Sequence, residues 1–243
     1  MISSYEEAAA HWPNIAEATT RWAGHRVFSL DGPTPSFILL PTDPERGDVL
    51  VVGERSPELI ESYLPEDVHF VMAEAREDHA DDEVLRAAGF LPIGDWWWMA
   101  CRTPIAHQAG QERVAPLTLS PEEIRDAQSR CNPDTHVQSD DPAYQWWGYE
   151  APDGVIAGIV AVQDLPEHLV GGEAGISLSA LGVDPAYRRQ GIAAAMMATL
   201  TNYGLTRGAV VQCGVWKSNE PALRIYRRLG YREEHAIRGW RRM

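Results

Sequence analysis

Leu181-Gly182-Val183-Asp184-Pro185-Ala186-Tyr187-Arg188-Arg189-Gln190-Gly191-Ile192-Ala193-Ala194-Ala195-Met196-Met197 decides the fold. Ile176, Leu178, Leu181 and Val183 form the apolar side of a strand, and Asp184-Pro185 is a turn signal. An Arg/Gln/Gly loop follows, and small residues from Gly191 to Ala195 open a helix. Small residues at a helix start let a ligand approach the backbone. The first-turn N–H groups have no intrahelical partner, and the helix dipole places positive charge there. Such a terminus is an anion site, and a pyrophosphate suits it.

The spacing narrows the anion. No Gly-Lys-Ser/Thr follows, which excludes a Walker loop, and no G-x-G-x-x-G follows the first strand, which excludes a dinucleotide fold. Arg188-x-x-Gly191-x-Ala193 resembles the R/Q-x-x-G-x-G/A signature of the GNAT superfamily of acetyl-CoA-dependent N-acetyltransferases. A second match follows. Val210 to Trp216 is an apolar strand, Lys217-Ser218-Asn219-Glu220-Pro221 is a helix start, and Ala222 to Leu229 is a helix closed by Gly230-Tyr231. Asn219, Ala222, Tyr226, Gly230 and Tyr231 are similar, position for position, to the family's N-x-x-A-x-x-x-Y-x-x-x-G-F/Y. The resemblance covers Arg113 to Met243, about half of the chain.

The resemblance implies an α/β fold, a mixed sheet with helices on both faces, in the order β-α-β-β-β-α-β-α-β. It implies a central strand splayed from its neighbour to admit the pantetheine arm of acetyl-CoA. Leu181 and Val183 then pair with the pantetheine amides as a strand pairs with a peptide. Arg188, Arg189, Gln190, Gly191, Ile192, Ala193 and Ala194 hold the pyrophosphate, and Asn219 belongs to the same cofactor set. Arg224, Arg227 and Arg228 are candidates for the 3′-phosphate.

Charge is distributed unevenly over the 243 residues, whose net charge is −14. Residues 1–110 carry 19 acidic and 7 basic side chains, residues 111–185 carry 13 and 3, and residues 186–243 carry 3 and 11. Both motifs therefore lie in the one basic stretch, which suits a polyanion such as CoA. The acidic remainder repels nucleic acid and favours a cationic acceptor, although acidic surfaces also serve solubility alone. Apolar residues make up 44% without a membrane-length run, and no basic-then-apolar leader opens the chain. Cys101, Cys131 and Cys213 are odd in number and scattered, which reads as reduced thiols in a cytoplasmic protein. Cys131 and His136 lack a second pair spaced to complete a metal site, so no metal is expected.

The expected domains are 1–107 and 113–243, with Gln108-Ala109-Gly110-Gln111 in the linker. In the second, Ser120-Pro121-Glu122-Glu123 is a capping box opening a helix to Cys131, and Pro152-Asp153-Gly154 joins two hairpin strands. In the first, strands are expected at 26–30, 36–40, 49–52 and 68–73, and helices at 5–17, 57–63 and 82–88. Val84-Leu85-Arg86-Ala87-Ala88-Gly89-Phe90 followed by Trp96-Trp97-Trp98-Met99 echoes Ile225 to Tyr231 followed by Trp240 to Met243. The echo suggests a tandem fold with a degenerate N-terminal copy. That copy lacks an Arg-x-x-Gly-x-Ala loop, and Ala87 stands near the place of Tyr226.

Acetyl transfer to a primary amine by direct attack in a ternary complex needs a neutral nucleophile. With a pKa near 10.4, only about 0.04% of a lysine-type amine is unprotonated at pH 7. A base or desolvation must help. Many relatives carry Glu on the strand before the phosphate loop; Ser177 stands there instead. Glu173 is the leading candidate base, with Glu150, Asp164 and His136 as alternatives. Tyr226, which holds its proton at pH 7, is the candidate acid for the leaving thiolate. A backbone N–H of the Leu181–Val183 strand is the candidate oxyanion donor. Trp146-Trp147 and Trp96-Trp97-Trp98 are candidate walls of an acceptor pocket, or core. The acceptor is a small-molecule or peptide amine, and a homodimer is a further possibility. The alternative function is an acyl-CoA-binding regulatory module with little turnover.

Overall fold

Among the described residues, short apolar or alternating runs form the strands, and longer amphipathic or apolar runs form the helices. The computed structural model describes residues 1–12, 25–31, 35–40, 48–53, 55–75, 82–135, 137–165 and 174–243. In the first half the elements are β1 (Ile2–Ser3), α1 (Tyr5–His11), β2 (Arg26–Leu30), β3 (Ser36–Leu40), β4 (Asp48–Val52), α2 (Pro57–Tyr63), β5 (Phe70–Glu74), α3 (Asp82–Ala87) and β6 (Phe90–Cys101). In the second they are β7 (Val114–Pro116), α4 (Pro121–Cys131), β8 (Gln145–Glu150), β9 (Ile156–Leu165), β10 (Gly175–Val183), α5 (Ile192–Arg207), β11 (Val210–Trp216), α6 (Glu220–Arg228) and β12 (Arg232–Arg242). Among the described strands and α-helices the two series are the same: β-α-β-β-β-α-β-α-β, twice.

All twelve strands join one sheet in the order β1-β2-β3-β4-β5-β12-β6-β11-β10-β9-β8-β7. Exchanging each strand for its counterpart in the other half gives the same order read from the opposite edge. Each half therefore lends its last strand to the other: β12 pairs with β5, and β6 pairs with β11. The central pair, β6 with β12, carries the symmetry into its register. Trp96 faces Ile237; on either side, Arg238 with Asp95 answers Ala236 with Trp97, and Trp240 with Pro92 answers Glu233 with Met99. The echo read from the sequence is thus a duplication visible in strand register.

That register corrects one expectation. Gly89 and Gly230 both adopt positive φ after the helices α3 and α6, with Phe90 and Tyr231 next in line. Counting back from these glycines, Leu85, not Ala87, stands where Tyr226 stands. Both side chains face the core, because each lies on the apolar stripe of its helix.

Two layers of helices cover the sheet. On one face, α5 and α6 pack on Ile176, Leu178, Val211, Cys213, Met99 and Cys101, and α2 and α3 pack on Val49, Val51, Val71 and Trp240. On the other face, α1 covers Phe37, Leu39, Leu50 and Met72, and α4 covers Trp146, Ile159 and Ala161. Asn202 of α5 exchanges two hydrogen bonds with the backbone of Ile105, at 2.8 and 2.9 Å, and ties the inter-repeat connection down.

Candidate active site

β10 and β11 pair in parallel only from Gly175–Leu178 against Val210–Cys213. β10 then bends. Ala180 has φ +55, and the register with β9 slips between Ser179 and Gly182. This is a β-bulge, which turns a strand out of its ladder. β10 continues to Val183 and β11 to Trp216 without pairing, so a wedge opens between them. Leu181 and Val183 lie half-buried along its edge, and the Leu181 carbonyl accepts from Asn132 Nδ2 at 3.4 Å.

Three bonds hold the loop after β10. The Asp184 carboxylate accepts from the Ala186 N–H at 2.9 Å, the Tyr187 hydroxyl donates to Asp153 at 2.7 Å, and Arg188 Nε donates to the Val183 carbonyl at 3.0 Å. The Tyr187 bond holds Asp153 below the usual carboxylate range and raises the phenol. Arg188 is thus directed onto β10, while Arg189, Gln190 and Gly191 are exposed. Arg189 and Gly191 both have positive φ, and Gly191 is the N-cap of α5 with no side-chain capping bond. Space around Gly191 is open where a Cβ would stand. The first-turn N–H groups of Ile192, Ala193 and Ala194 have no intrahelical partner and lie at the positive end of the helix. The donor set fits a pyrophosphate.

Across the wedge, Asn219 caps α6 by accepting from the Ala222 N–H at 3.2 Å. Its side chain positions the helix. Tyr226 is buried beside Leu223, Leu229 and Cys213, with its ring centroid 5.8 Å from that of Tyr231. Burial pushes the Tyr226 phenol well above its ordinary value, and the Cys213 thiol adds to the rise. Burial likewise raises Tyr231 and Cys213. The Tyr231 hydroxyl is 2.7 Å from Thr201 Oγ1, which in turn donates to the Met197 carbonyl of α5. Arg227 is bound to Glu233 at 2.8 Å, leaving Arg224 and Arg228 as the exposed α6 arginines without an ion pair among the described residues.

The base candidates separate. Glu173 and His136 lie outside the described residues. Asp164 is held by Arg207 through two bonds at 3.1 and 2.8 Å, and Glu150 is exposed at the end of β8. Ser177 pairs in register with Gln163 and Gln212 across the sheet. Trp146 and Trp147 are core, whereas Trp96, Trp97 and Trp98 are half-buried. Lys217 lies 4.1 Å over Trp97. Two features escaped the sequence reading: the Tyr187–Asp153 clasp, which the Pro152-Asp153-Gly154 turn signal marks, and Gln212, a lone polar residue in an apolar strand.

The described residues of the first repeat close the corresponding places. Ser56 caps α2 by accepting from the Leu59 N–H at 3.1 Å, and Pro57 removes a further donor. β4 and β5 stay paired from Asp48–Phe70 to Val51–Ala73. Arg55 and Asp82, both buried, bond at 2.9 Å, and Asp82 also binds Arg238, which binds Asp95 at 2.7 and 2.9 Å.

The family model described as acetyltransferase (GNAT) family matches residues 112–231. An uncharacterized N-acetyltransferase of Methanocaldococcus jannaschii is 37% identical over 62 residues, which are 25% of this chain and 27% of that protein. The chain thus spans about a quarter of the length of the curated relative it matches. Among solved structures, a GCN5-related N-acetyltransferase from Kribbella flavida has a TM-score of 0.58 at 17% identity, covering 98% of this chain and 95% of that one. A tandem GNAT protein from the clavulanic acid biosynthesis pathway has a TM-score of 0.51 at 12% identity, covering 99% and 96%. At these identities the structures attest the fold alone: a GNAT fold that spans both repeats.

Proposed function

We propose that this chain, whose residues 112–231 belong to the GNAT family, is an N-acetyltransferase that moves an acetyl group from acetyl-CoA to a primary amine. The observation that carries the reading is the pairing of an uncapped helix start at Gly191 with strands that part after Leu178 and Cys213. The first supplies donors for a pyrophosphate; the second supplies an extended, unpaired strand edge for the pantetheine amides. Arg189 to Ala194 bind the phosphates mainly through backbone N–H groups, at about 1.5–3 kcal/mol for each charge-assisted bond. Arg188 closes the loop, and Leu181 and Val183 present the strand edge.

In the reaction, the amine nitrogen attacks the thioester carbonyl, the C–S bond breaks, and the thiolate takes a proton. Tyr226 is the candidate to give that proton: a phenol holds its proton at neutral pH, and burial makes this one hold it harder, to be given up only to a basic thiolate. The amine's own proton leaves to a base, for which Glu173 remains the sequence candidate. No described helix is long and apolar enough to cross a membrane; we place the protein in the cytoplasm, its cysteines reduced.

Calorimetric titration with acetyl-CoA tests the reading. Micromolar binding is expected, with a loss of about 100-fold or more in Gly191→Asp, which sets a carboxylate against the phosphates and a side chain at φ +83. A wild-type protein that does not bind acetyl-CoA overturns it.

A further inference from the structure

The two repeats share one register, so the silent copy shows what the working copy has cut away. Met72 of β5 faces Gly239 of β12, and Gly214 of β11 faces Trp98 of β6; these pairs occupy matched positions about the centre of the sheet. Met72 is buried in the core under α1, with Leu50 beside it on β4. Gly214, by contrast, is exposed, and the place beside it on β10 belongs to Ser179, which has left the ladder. Among the described residues, a Cβ on Gly214 would meet nothing closer than Trp98 at 3.6 Å and Trp96 at 3.9 Å. Where the first repeat fills this face of the sheet with a methionine and a leucine, the second leaves a recess floored by backbone.

The recess lies on the face opposite α5 and α6, at the mouth of the wedge. Its walls are aromatic. Trp96 and Trp98 come from the first repeat through the exchanged strand β6, and Trp216, 47% exposed, meets Trp96 edge-on at 5.2 Å between centroids. Trp216 also borders an open cavity of about 600 Å³ at the end of β11, together with Ile93, Gly94, Asp95, Lys217 and Ser218. The two cavity charges nearest this wall are spent: Asp95 binds Arg238, and Lys217 lies over Trp97. One row inward from Gly214, on the same face, is Gln212, where the first repeat has Phe70. Gln212 is 4% exposed, and its Oε1 is buried with no hydrogen-bond partner among the described residues. A buried amide oxygen left unpaired costs free energy and invites a donor.

We infer that the acceptor is a primary amine carrying a flat apolar body, seated over Gly214 with its N–H directed to the Gln212 carboxamide and its body along Trp98 and Trp216. This rests on the transferase reading above and names the acceptor class for it. Tryptophan faces stack on a flat hydrocarbon and attract its single ammonium, whereas a hydroxyl-rich or multiply charged chain would give up hydration there that aromatic walls do not replace. The strand exchange thus gives the first repeat its part: it lends the acceptor wall to a site whose cofactor cleft belongs to the second.

The test runs in two steps on the full chain. Acetyl-CoA affinity is first measured for the wild type, Gly214→Met and Gln212→Leu. Release of CoA is then followed with 2-phenylethylamine, spermidine and kanamycin. Equal acetyl-CoA affinity is expected in all three proteins. The wild type should favour 2-phenylethylamine by about 10-fold or more in kcat/KM. Gly214→Met, which rebuilds the first repeat's filling, should lose about 100-fold with that amine. Gln212→Leu should raise its KM about 10-fold with kcat nearly kept. Preference for spermidine or kanamycin, turnover of none of the three, or full turnover by Gly214→Met overturns the inference while acetyl-CoA binding stands. Loss of acetyl-CoA binding by the wild type overturns the transferase reading and the inference together. If Gly214→Met alone loses acetyl-CoA binding, Gln212→Leu decides: an unchanged KM overturns the inference.

Discussion

The helix starts of α2 and α5 occupy the same place in the two repeats and have opposite fates. Ser56 and Pro57 close the first: one side chain satisfies an N–H and one ring removes another. Gly191 leaves the second open, with positive φ and no capping side chain. Everything around them follows the same division. β4 and β5 stay paired while β10 and β11 part. Leu85, Phe90 and Val71 stand where Tyr226, Tyr231 and Cys213 stand. One fold has been kept twice for its sheet and once for its chemistry. A ligand site is a set of local departures from good packing, and the sealed copy shows what good packing looks like here.

The sharpest way to break this comparison is to exchange the two matched side chains for lesser ones. Tyr226→Phe should lower kcat by about 10²–10⁴-fold, the range of a lost general acid, with acetyl-CoA affinity unchanged. Leu85→Ala should cost about 2–5 kcal/mol of stability, as a cavity does, with kcat kept in whatever fraction is folded. Steady-state kinetics and urea unfolding on both variants separate the two roles. Full kcat in Tyr226→Phe would assign Tyr226 to the core alone and leave the thiolate's proton to another donor.

A second prediction concerns what replaced the site in the first repeat. Asp82 has a 4% exposed side chain between Arg55, wholly buried, and Arg238. Removing one member of such a network strands the other charges in low dielectric, and Asp82→Asn should destabilise the protein by about 3–5 kcal/mol. Acetyl-CoA affinity, measured where the variant is folded, should match the wild type. A loss of affinity would mean that the network supports the cofactor cleft as well as the sheet.

Much of this was legible in the sequence, and the reasons are local. Ser120, Ser56 and Asn219 mark helix starts by their own hydrogen bonds, so α4, α2 and α6 are readable from a few residues. Val210 to Trp216 is apolar because both faces of β11 are covered over much of its length. The start of β12 was not legible. Arg232-Glu233-Glu234-His235 has no apolar alternation, and it is a strand because Trp98, Met99 and Ala100 lie beside it. The strand exchange was equally hidden, since β6 and β12 each read as a final strand and nothing within either names its neighbour. Gln212 stands out in the sequence as a lone polar residue in an apolar strand, but that it replaces an apolar side chain shows only once Phe70 is known to be its counterpart.

The smallest expected effect uses the same three substitutions of character. Tyr226, Tyr231 and Cys213 form a buried cluster of ionisable groups, and the first repeat has Leu85, Phe90 and Val71 there. Burial disfavours the charged form of each, so all three have folded values above their ordinary ones. Below about pH 8.5, the thiol's ordinary value, both folded and unfolded chains hold these protons, and the cluster adds no pH dependence. As pH rises, first the thiol and then, near 10, the phenols ionise in the unfolded chain while the folded chain keeps its protons. The unfolded state is favoured, and stability falls by about 1.4 kcal/mol per pH unit for each group beyond its ordinary value. Urea unfolding at pH 10 and pH 11 measures the slope where the phenols contribute to it. The double variant Tyr226→Phe/Tyr231→Phe should flatten it, although loss of the Tyr231–Thr201 bond lowers its stability at both pH values by about 1 kcal/mol. An unchanged slope in that variant would place the alkaline sensitivity elsewhere, with Tyr5, whose phenol is raised to about 12 by burial under the first repeat, as the next group to replace.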